Sequence, residues 1–468
     1  MLADYKAYSH GHIDFEFIDP GSVQALEEEA QSFNIPSFQV QAYANDKIEV
    51  VKVYMGVVFI YGDKQEIIPT VTETANLEYE ITSLIHRLTT PNQAILGIAS
   101  TGNEQNRTTM QQLYEALGRI YDIRPVSLDE PIDDAYDGIF VIAPRQPFTD
   151  WQLFNLDQFV MKGGTVGMFM NAYEATLQSG QQASLRNLNV NKLLNAYGLV
   201  LNDDMVIDAK SNVVTFQSRQ GLYVMNQQIP FPYFPIIENM NRENIITRDL
   251  QRIAMFFPSS VDTTLAAEKG YDVHTLLYSS EMSGRKTGST LFMSPQERPT
   301  PQDLSESYIP LAAAVIGNYT SAFAESGPPD RPADSSAVQQ EDESQALASV
   351  PYDGPFVSQA ETESRVLLVG DGNMATDEYA QNPQSLLFAL NAADWLLQSG
   401  SLISIRSKQI PATPLKDIPA FAKKLVKWIN RIGPVMLVIA LGLLLWQSRR
   451  IKNKALMSVQ TGGVTNEK

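Results

Sequence analysis

Residues 432–446 read IGPVMLVIALGLLLW, fifteen positions without a charge or a strongly polar side chain. Such a run cannot lie on the surface of a water-soluble domain without meeting something apolar. At about 1.5 Å per residue it covers roughly 22 Å, short of a bilayer core of about 30 Å. The flanks supply the rest. Leu425, Val426, Trp428 and Ile429 extend the run, and Lys427, Arg431, Arg449 and Arg450 can snorkel to headgroups. Trp428 and Trp446 stand near the two ends, where interfacial aromatics belong. A transmembrane helix over 425–448 with a basic tail over 449–468 is therefore expected. The competing reading is a buried core helix. The residues before the run are then a large soluble body held at a membrane.

Charge supports that division. The 468-residue chain carries a net −18, but from Lys416 onward the balance is +8 and before it −26. A basic tail suits anionic lipid, and an acidic body argues against nucleic acid. The chain has no cysteine, which removes disulfides, thiolate catalysis and cysteine-based zinc sites together. Lys and Arg flank the apolar run on both sides, so local charge does not set its orientation.

Five stretches of chain precede the run. Residues 1–72 read as a small α/β lobe. Ile13, Phe15 and Phe17 alternate with polar residues as in a half-buried strand. Asp19-Pro20 opens a helix, and the β-rich runs 48–53 and 55–61 lead to a turn at Gly62-Asp63. The order fits a thioredoxin-like plan without thiol chemistry. Residues 73–93 hold a connecting helix, with Leu77, Ile81, Leu84, Ile85 and Leu88 at helical spacing.

Residues 94–324 begin with alternating apolar strands and helices. Strands are expected at 94–99, 123–126, 138–143 and 165–170. A capping box at Thr149–Gln152 starts one of the helices. Uniformly apolar strands alternating with helices imply a parallel sheet covered on both faces. The segment Pro230–Pro235 is too proline-rich for a central strand. Residues 325–364 read as a disordered, acidic linker. Residues 365–415 return a strand, a helix capped by Asn382 with Pro383 behind it, and a last strand candidate at 402–406, completing the same sheet.

Chemistry is sparse in the sequence. Gly370-Asp371-Gly372-Asn373-Met374-Ala375 matches G-x-G-x-x-A after a strand, but the helix is delayed to Pro383 and no acidic residue ends a following strand. It reads as a tight turn rather than a dinucleotide site. Ser100, Thr101, Asn171, Asp371 and Asn373 all sit at strand ends, where ligands of open α/β sheets bind, and form the candidate ligand crevice. Ordinary turn residues are the competing account. The four histidines show no metal spacing, and no catalytic nucleophile motif or Walker motif is present. No catalytic residue, metal site or cofactor is assigned.

Several stretches carry a family resemblance. They are HIDFEFIDP, YMGVVFIYGDKQEIIPTV, LEYEITSLIHRLT, FVMKGGTVGMFMN, PFPYFPII, and VLLVGDGNMATDE ahead of LLFALNAADWLL. Together they resemble the auxiliary component of the gliding-motility type of ABC transport system, over nearly the whole chain. The resemblance implies a thioredoxin-like lobe followed by a Rossmann-like lobe similar to glutamine amidotransferases without their cysteine. It implies a periplasmic body at a bacterial inner membrane, an anchor at each end, and an ABC permease and ATPase as partners. A homo-oligomer is compatible with it. The family's N-terminal membrane helix is missing here, so truncation or a late start is expected; on a literal Met1 the chain is a tail-anchored cytosolic adaptor. The leading function is a non-catalytic membrane-anchored scaffold. The alternative is a tethered receptor or enzyme for a small molecule or glycan, using the strand-end crevice.

Overall fold

The computed structural model describes residues 1–44, 47–71, 77–90, 93–100, 106–175, 182–220, 223–294, 298–332, 349–379 and 382–397, and six helical positions near the C-terminus. Residues 1–409 form one unit and residues 410–468 a second.

The chain opens with helix α1 (Leu2–Tyr8). Tyr5 fixes it by donating to the Glu78 carbonyl at 2.9 Å, on helix α3 (Leu77–Thr89). The strand expected at Ile13–Phe17 is not formed. That segment has no ladder partner among the described residues, and Phe17 is 85% exposed. Alternation alone makes an extended chain; a strand also needs a neighbour. Asp19 does cap, accepting from the Gly21 N–H at 3.0 Å, but it closes only the 3-10 turn Pro20–Ser22. Helix α2 (Gln24–Ser32) follows. Strands β1 (Ser37–Ala44) and β2 (Lys47–Tyr54) pair with each other. So do β3 (Val57–Tyr61) and β4 (Lys64–Ile68), turning at Gly62 with φ +59°. The two ladders stay separate, each two-stranded.

The larger lobe is organised by one eight-stranded sheet. Strands β5 (Ile95–Ser100), β6 (Asp122–Ser127), β7 (Gly138–Ile142) and β8 (Thr165–Phe169) are parallel, in the spatial order β6-β5-β7-β8. Strand Ser364–Val369 joins parallel beside β8, so the late segment does complete the same sheet. The remaining three strands run antiparallel to their neighbours: Pro310–Gly317, Asp272–Tyr278 and Asn239–Met240. The parallel arrangement expected from the sequence holds for β5–β8, within a larger mixed sheet. The sheet is mixed because the returning strands enter from the opposite end.

Period-two alternation feeds two cores. Leu96, Ile98, Phe140, Phe169 and Leu367 point to one face, and Ile139, Val141, Val166, Met168 and Leu368 to the other. On the first face lie helix α5 (Gln111–Gly118), entered through the short helix α4 (Asn106–Thr109), and the helix Pro383–Leu396. Its cap Asn382 accepts from the Gln384 N–H at 3.0 Å. On the second face lie α6 (Asp150–Met161) and α7 (Asn191–Ala196). The capping box on α6 forms in both directions, Gln152 N–H to Thr149 Oγ1 at 3.2 Å and Thr149 N–H to Gln152 Oε1 at 3.0 Å.

Two further expectations are corrected. The proline-rich segment lies within a long strand, Tyr223–Ile237, paired with Ser211–Gln220. The register breaks between Ser211 and Val213, opposite Pro230 and Pro235, so the prolines sit at a bulge where no ladder donor is required. The stretch read as a disordered linker is ordered over residues 349–364, while 333–348 lie outside the described residues. Tyr352 packs on Trp151 and Phe154 at 5.3 Å each, and Gln158 exchanges hydrogen bonds with the Val357 backbone at 2.8 and 3.1 Å. Those few large apolar residues cover the outer side of α6, which is therefore buried nearly all round.

No helix among the described residues is long and apolar enough to cross a membrane. Of the 425–448 run, only Arg431, Met436, Gly442, Leu443, Leu445 and Trp446 are described, all helical and all exposed. The 402–406 strand candidate, Trp428, Arg449 and Arg450 lie outside the described residues.

Candidate functional site

The spatial order β6-β5-β7-β8 reverses direction between β5 and β7. In open α/β sheets the crevice beyond such a reversal is where ligands bind. Four strand ends converge there: Ser100 on β5, Ala143 after β7, Asn171 after β8 and Asp371 after Ser364–Val369. The Ser100 side chain and all of Thr101 lie outside the described residues.

Asn171, Asp371 and Asn373 are brought together, and a loop of the same chain occupies the space beside them. Asp371 is fully buried. Its Oδ2 accepts from the Phe256 N–H at 2.6 Å. Its Oδ1 accepts from the Asn373 N–H at 2.8 Å and, at 3.3 Å each, from the Met374 N–H and Asn171 Nδ2. Asn171 Nδ2 also donates to the Phe257 carbonyl at 2.9 Å, and its Oδ1 accepts from the Gly372 N–H at 2.7 Å. Asn373 Nδ2 donates to the Phe256 carbonyl at 3.1 Å. These side chains staple the 256–260 loop across the strand ends.

The loop is held further along its length. The Ser259 N–H donates to the Gly370 carbonyl at 2.7 Å, and Ser260 Oγ donates to Asp204 Oδ2 at 2.6 Å. Phe257 takes a positive φ of +57°, an unusual conformation for a bulky residue. Nothing local in the sequence marks Phe256 as a partner of Asp371, Phe257 as one of Asn171, or Asp204 and Ser260 as partners of each other, which is why the sequence reading missed them.

The two glycines of the G-x-G-x-x-A match have a steric reason. A Cβ on Gly370 would lie 1.9 Å from the Ser259 carbonyl oxygen, and one on Gly372 would lie 2.7 Å from that of Phe169. The glycines admit neighbouring backbone rather than a phosphate. Only one 3-10 turn, Asn373–Ala375, follows before the loop reaches Asp377, whose carboxylate caps α5 through the Gln111 N–H at 2.6 Å.

Burial pushes the Asp371 carboxyl up to about 7, against the pull of its donors from Phe256, Asn171, Asn373 and Met374. Asp157 and Asp204 are also raised by burial. Each is tied to hydroxyl and backbone groups: Asp157 accepts from Ser321 Oγ at 2.6 Å and Tyr197 OH at 3.1 Å. Chemically, the arrangement is a set of protein-filled carboxylate clamps. Among the described residues no group of three or more His, Asp and Glu is placed to hold a metal.

The chain has recognisable relatives. A family profile described as an ABC-type uncharacterized transport system matches residues 94–398, the whole of the sheet lobe. A domain of unknown function matches residues 1–60. An uncharacterized protein of Borreliella burgdorferi is 21% identical over 395 residues, covering 82% of this chain and 70% of that protein. Among solved structures, the mmIFT52 N-terminal domain aligns at 14% identity with a TM-score of 0.35, over 65% of this chain and 97% of that one. Because the transport profile spans well over half of its length, the chain belongs to the family of auxiliary components of ABC-type uncharacterized transport systems.

Proposed function

We propose that this chain is a non-catalytic, membrane-anchored accessory subunit whose body scaffolds or recruits partners outside the cytoplasm. Its partners are an ABC permease and its ATPase, in a system of the gliding-motility type. The observation that carries this reading is the closure of the strand-end crevice. Where an α/β enzyme would place reacting groups, Asp371 and Asn171 are spent on the backbone of the chain itself. The body then serves as a platform, with a small thioredoxin-like lobe and an amidotransferase-like lobe as recognition modules.

Anchoring is supported by the C-terminal helical positions. Met436, Leu443, Leu445 and Trp446 are each 56–61% exposed, a run of apolar surface that lipid would cover. Arg431, exposed before the run, suits a headgroup. The test is purification of the native protein in mild detergent with identification of what accompanies it. An ATPase and a polytopic permease in fixed ratio are expected. Purification alone, with turnover of a hydrolase substrate by the isolated protein, overturns the proposal.

A further inference from the structure

Next to the closed crevice the same lobe leaves a polar cavity of about 160 Å³, lined by Ala172, Arg186, Asn187, Asn189, Lys192 and Asp203 among others. It lies beyond the carboxyl ends of β7 and β8, since Arg186 reaches the Pro144 carbonyl at 3.1 Å and its backbone N–H donates to the Ala172 carbonyl at 2.7 Å. Its feature of interest is the state of Arg186. The side chain is 17% exposed, and its one charged partner among the described residues, Glu174 at 3.3 Å, is itself 61% exposed. That separation exceeds the roughly 2.7–2.9 Å of a strong charge-assisted bond. The Nε–H is buried and has no hydrogen-bond partner among the described residues. Burial lowers the Arg186 pKa, Glu174 opposes that, and the neighbouring Arg145 charge adds to it.

A largely buried guanidinium, held by the Pro144 carbonyl and one exposed carboxylate, therefore lines a half-open polar cavity with little countercharge. We propose that this cavity binds a small oxyanion, a carboxylate or phosphate group on a ligand of about six to eight non-hydrogen atoms, with Arg186 as its principal contact. Asn187 and Lys192 stand on the same wall as further donors, Lys192 being shared with Asp150 at 3.0 Å. Asp203 lines the same space and accepts, which favours an anion that also carries an O–H group. The segment is built for this: in Arg186-Asn187-Leu188-Asn189-Val190-Asn191-Lys192, Leu188 and Val190 are buried while Asn187 and Asn189 are exposed. The inference does not depend on the transport reading.

The test titrates the full-length protein in detergent with inorganic phosphate and with acetate, against chloride at matched ionic strength, by calorimetry and thermal shift. Saturable binding by phosphate or acetate that chloride does not reproduce is expected, weakened about tenfold or more by Arg186→Gln. A response equal to that of chloride, or one unchanged in Arg186→Gln, overturns the proposal. Should Arg186→Gln fail to fold, Asn187→Ala at its exposed position decides. A clear loss of affinity upholds the site, and unaltered affinity overturns it.

Discussion

The first 90 residues and the sheet lobe are made from similar residue types and are held together differently. In the first 90, the buried apolar residues among those described are Ala30, Ile68, Ile81 and Leu88. Two-stranded ladders expose most of their surface and are marginal alone, so individual polar anchors matter: Tyr5 on α3, Glu27 with Lys52 at 2.9 Å, and Arg87 with Glu66. In the sheet lobe both faces of the sheet are covered, and burial dominates. The carboxylates follow the same division. Asp14 and Glu27 are held below the usual range, chiefly by hydrogen bonds from Lys6 and Lys52 respectively. Asp371, Asp157 and Asp204 are raised by burial. A carboxylate near the surface is tuned by its partner, as Asp262 and Asp303 are even in the sheet lobe, and a deeply buried one by loss of water.

The contrast breaks most visibly in the core. Phe169 is fully buried, edge-on to Phe140 at 5.3 Å and to Phe388 at 6.3 Å. Phe169→Ala should cost about 3–5 kcal/mol in urea unfolding followed by tryptophan fluorescence. A loss under about 1 kcal/mol would mean that the two cores are not the main source of stability.

Acidity separates the lobes next. When folded, Asp371 keeps its proton up to about pH 7, against an unfolded value near 3.8. Between those values the unfolded chain has released a proton that the folded chain retains, so stability falls as pH rises through the window and levels off above it. The full effect is roughly 4 kcal/mol at about 1.4 kcal/mol per pH unit. Asp157 and Asp204 act in the same direction. Asp371→Asn should flatten the profile of melting temperature between pH 4 and 7, and an unchanged slope would remove Asp371 from the account. Asp14 and Glu27 have the opposite sign: what they contribute is present above their unfolded values and is lost only on acidification below about pH 4.

Smaller effects sharpen the comparison. Gly372→Ala forces a methyl group to within 2.7–2.9 Å of the Phe169 and Ala143 backbones. It should cost about 1–3 kcal/mol and loosen the 256–260 loop, read as faster amide exchange at Phe256 and Ser259. Thr149→Ala removes one half of the capping box on α6 and should cost about 1 kcal/mol. Val23→Ala, at a position 56% exposed in the first lobe, should stay within about 0.5 kcal/mol. A larger loss there would reveal a packed surface at Val23.

What was legible in the sequence was local. Alternation and helical spacing placed β5, β7, β8 and α3 within a residue or two. The capping box at Thr149, the Asn382-Pro383 start and the Gly62 turn were each visible because their partners lie two to four residues away. The same local rule failed where partnership is remote. Ile13–Phe17 alternates but finds no strand among the described residues, and within the stretch read as a linker Tyr352 and Phe356 pack on Phe154 of α6. The candidate site shows the limit most plainly. Asp371 and Asn171 could be placed at strand ends from the sequence, but Asp371 meets Phe256 across 115 positions and Asn171 meets Gly372 across 201. Arg186 gave no signal, because an unmet donor exists only once its surroundings are built. Short-range hydrogen bonds and side-chain periodicity are written into neighbouring residues. Whether a strand end is open or filled is decided by which distant backbone arrives there, and only the tertiary structure fixes that.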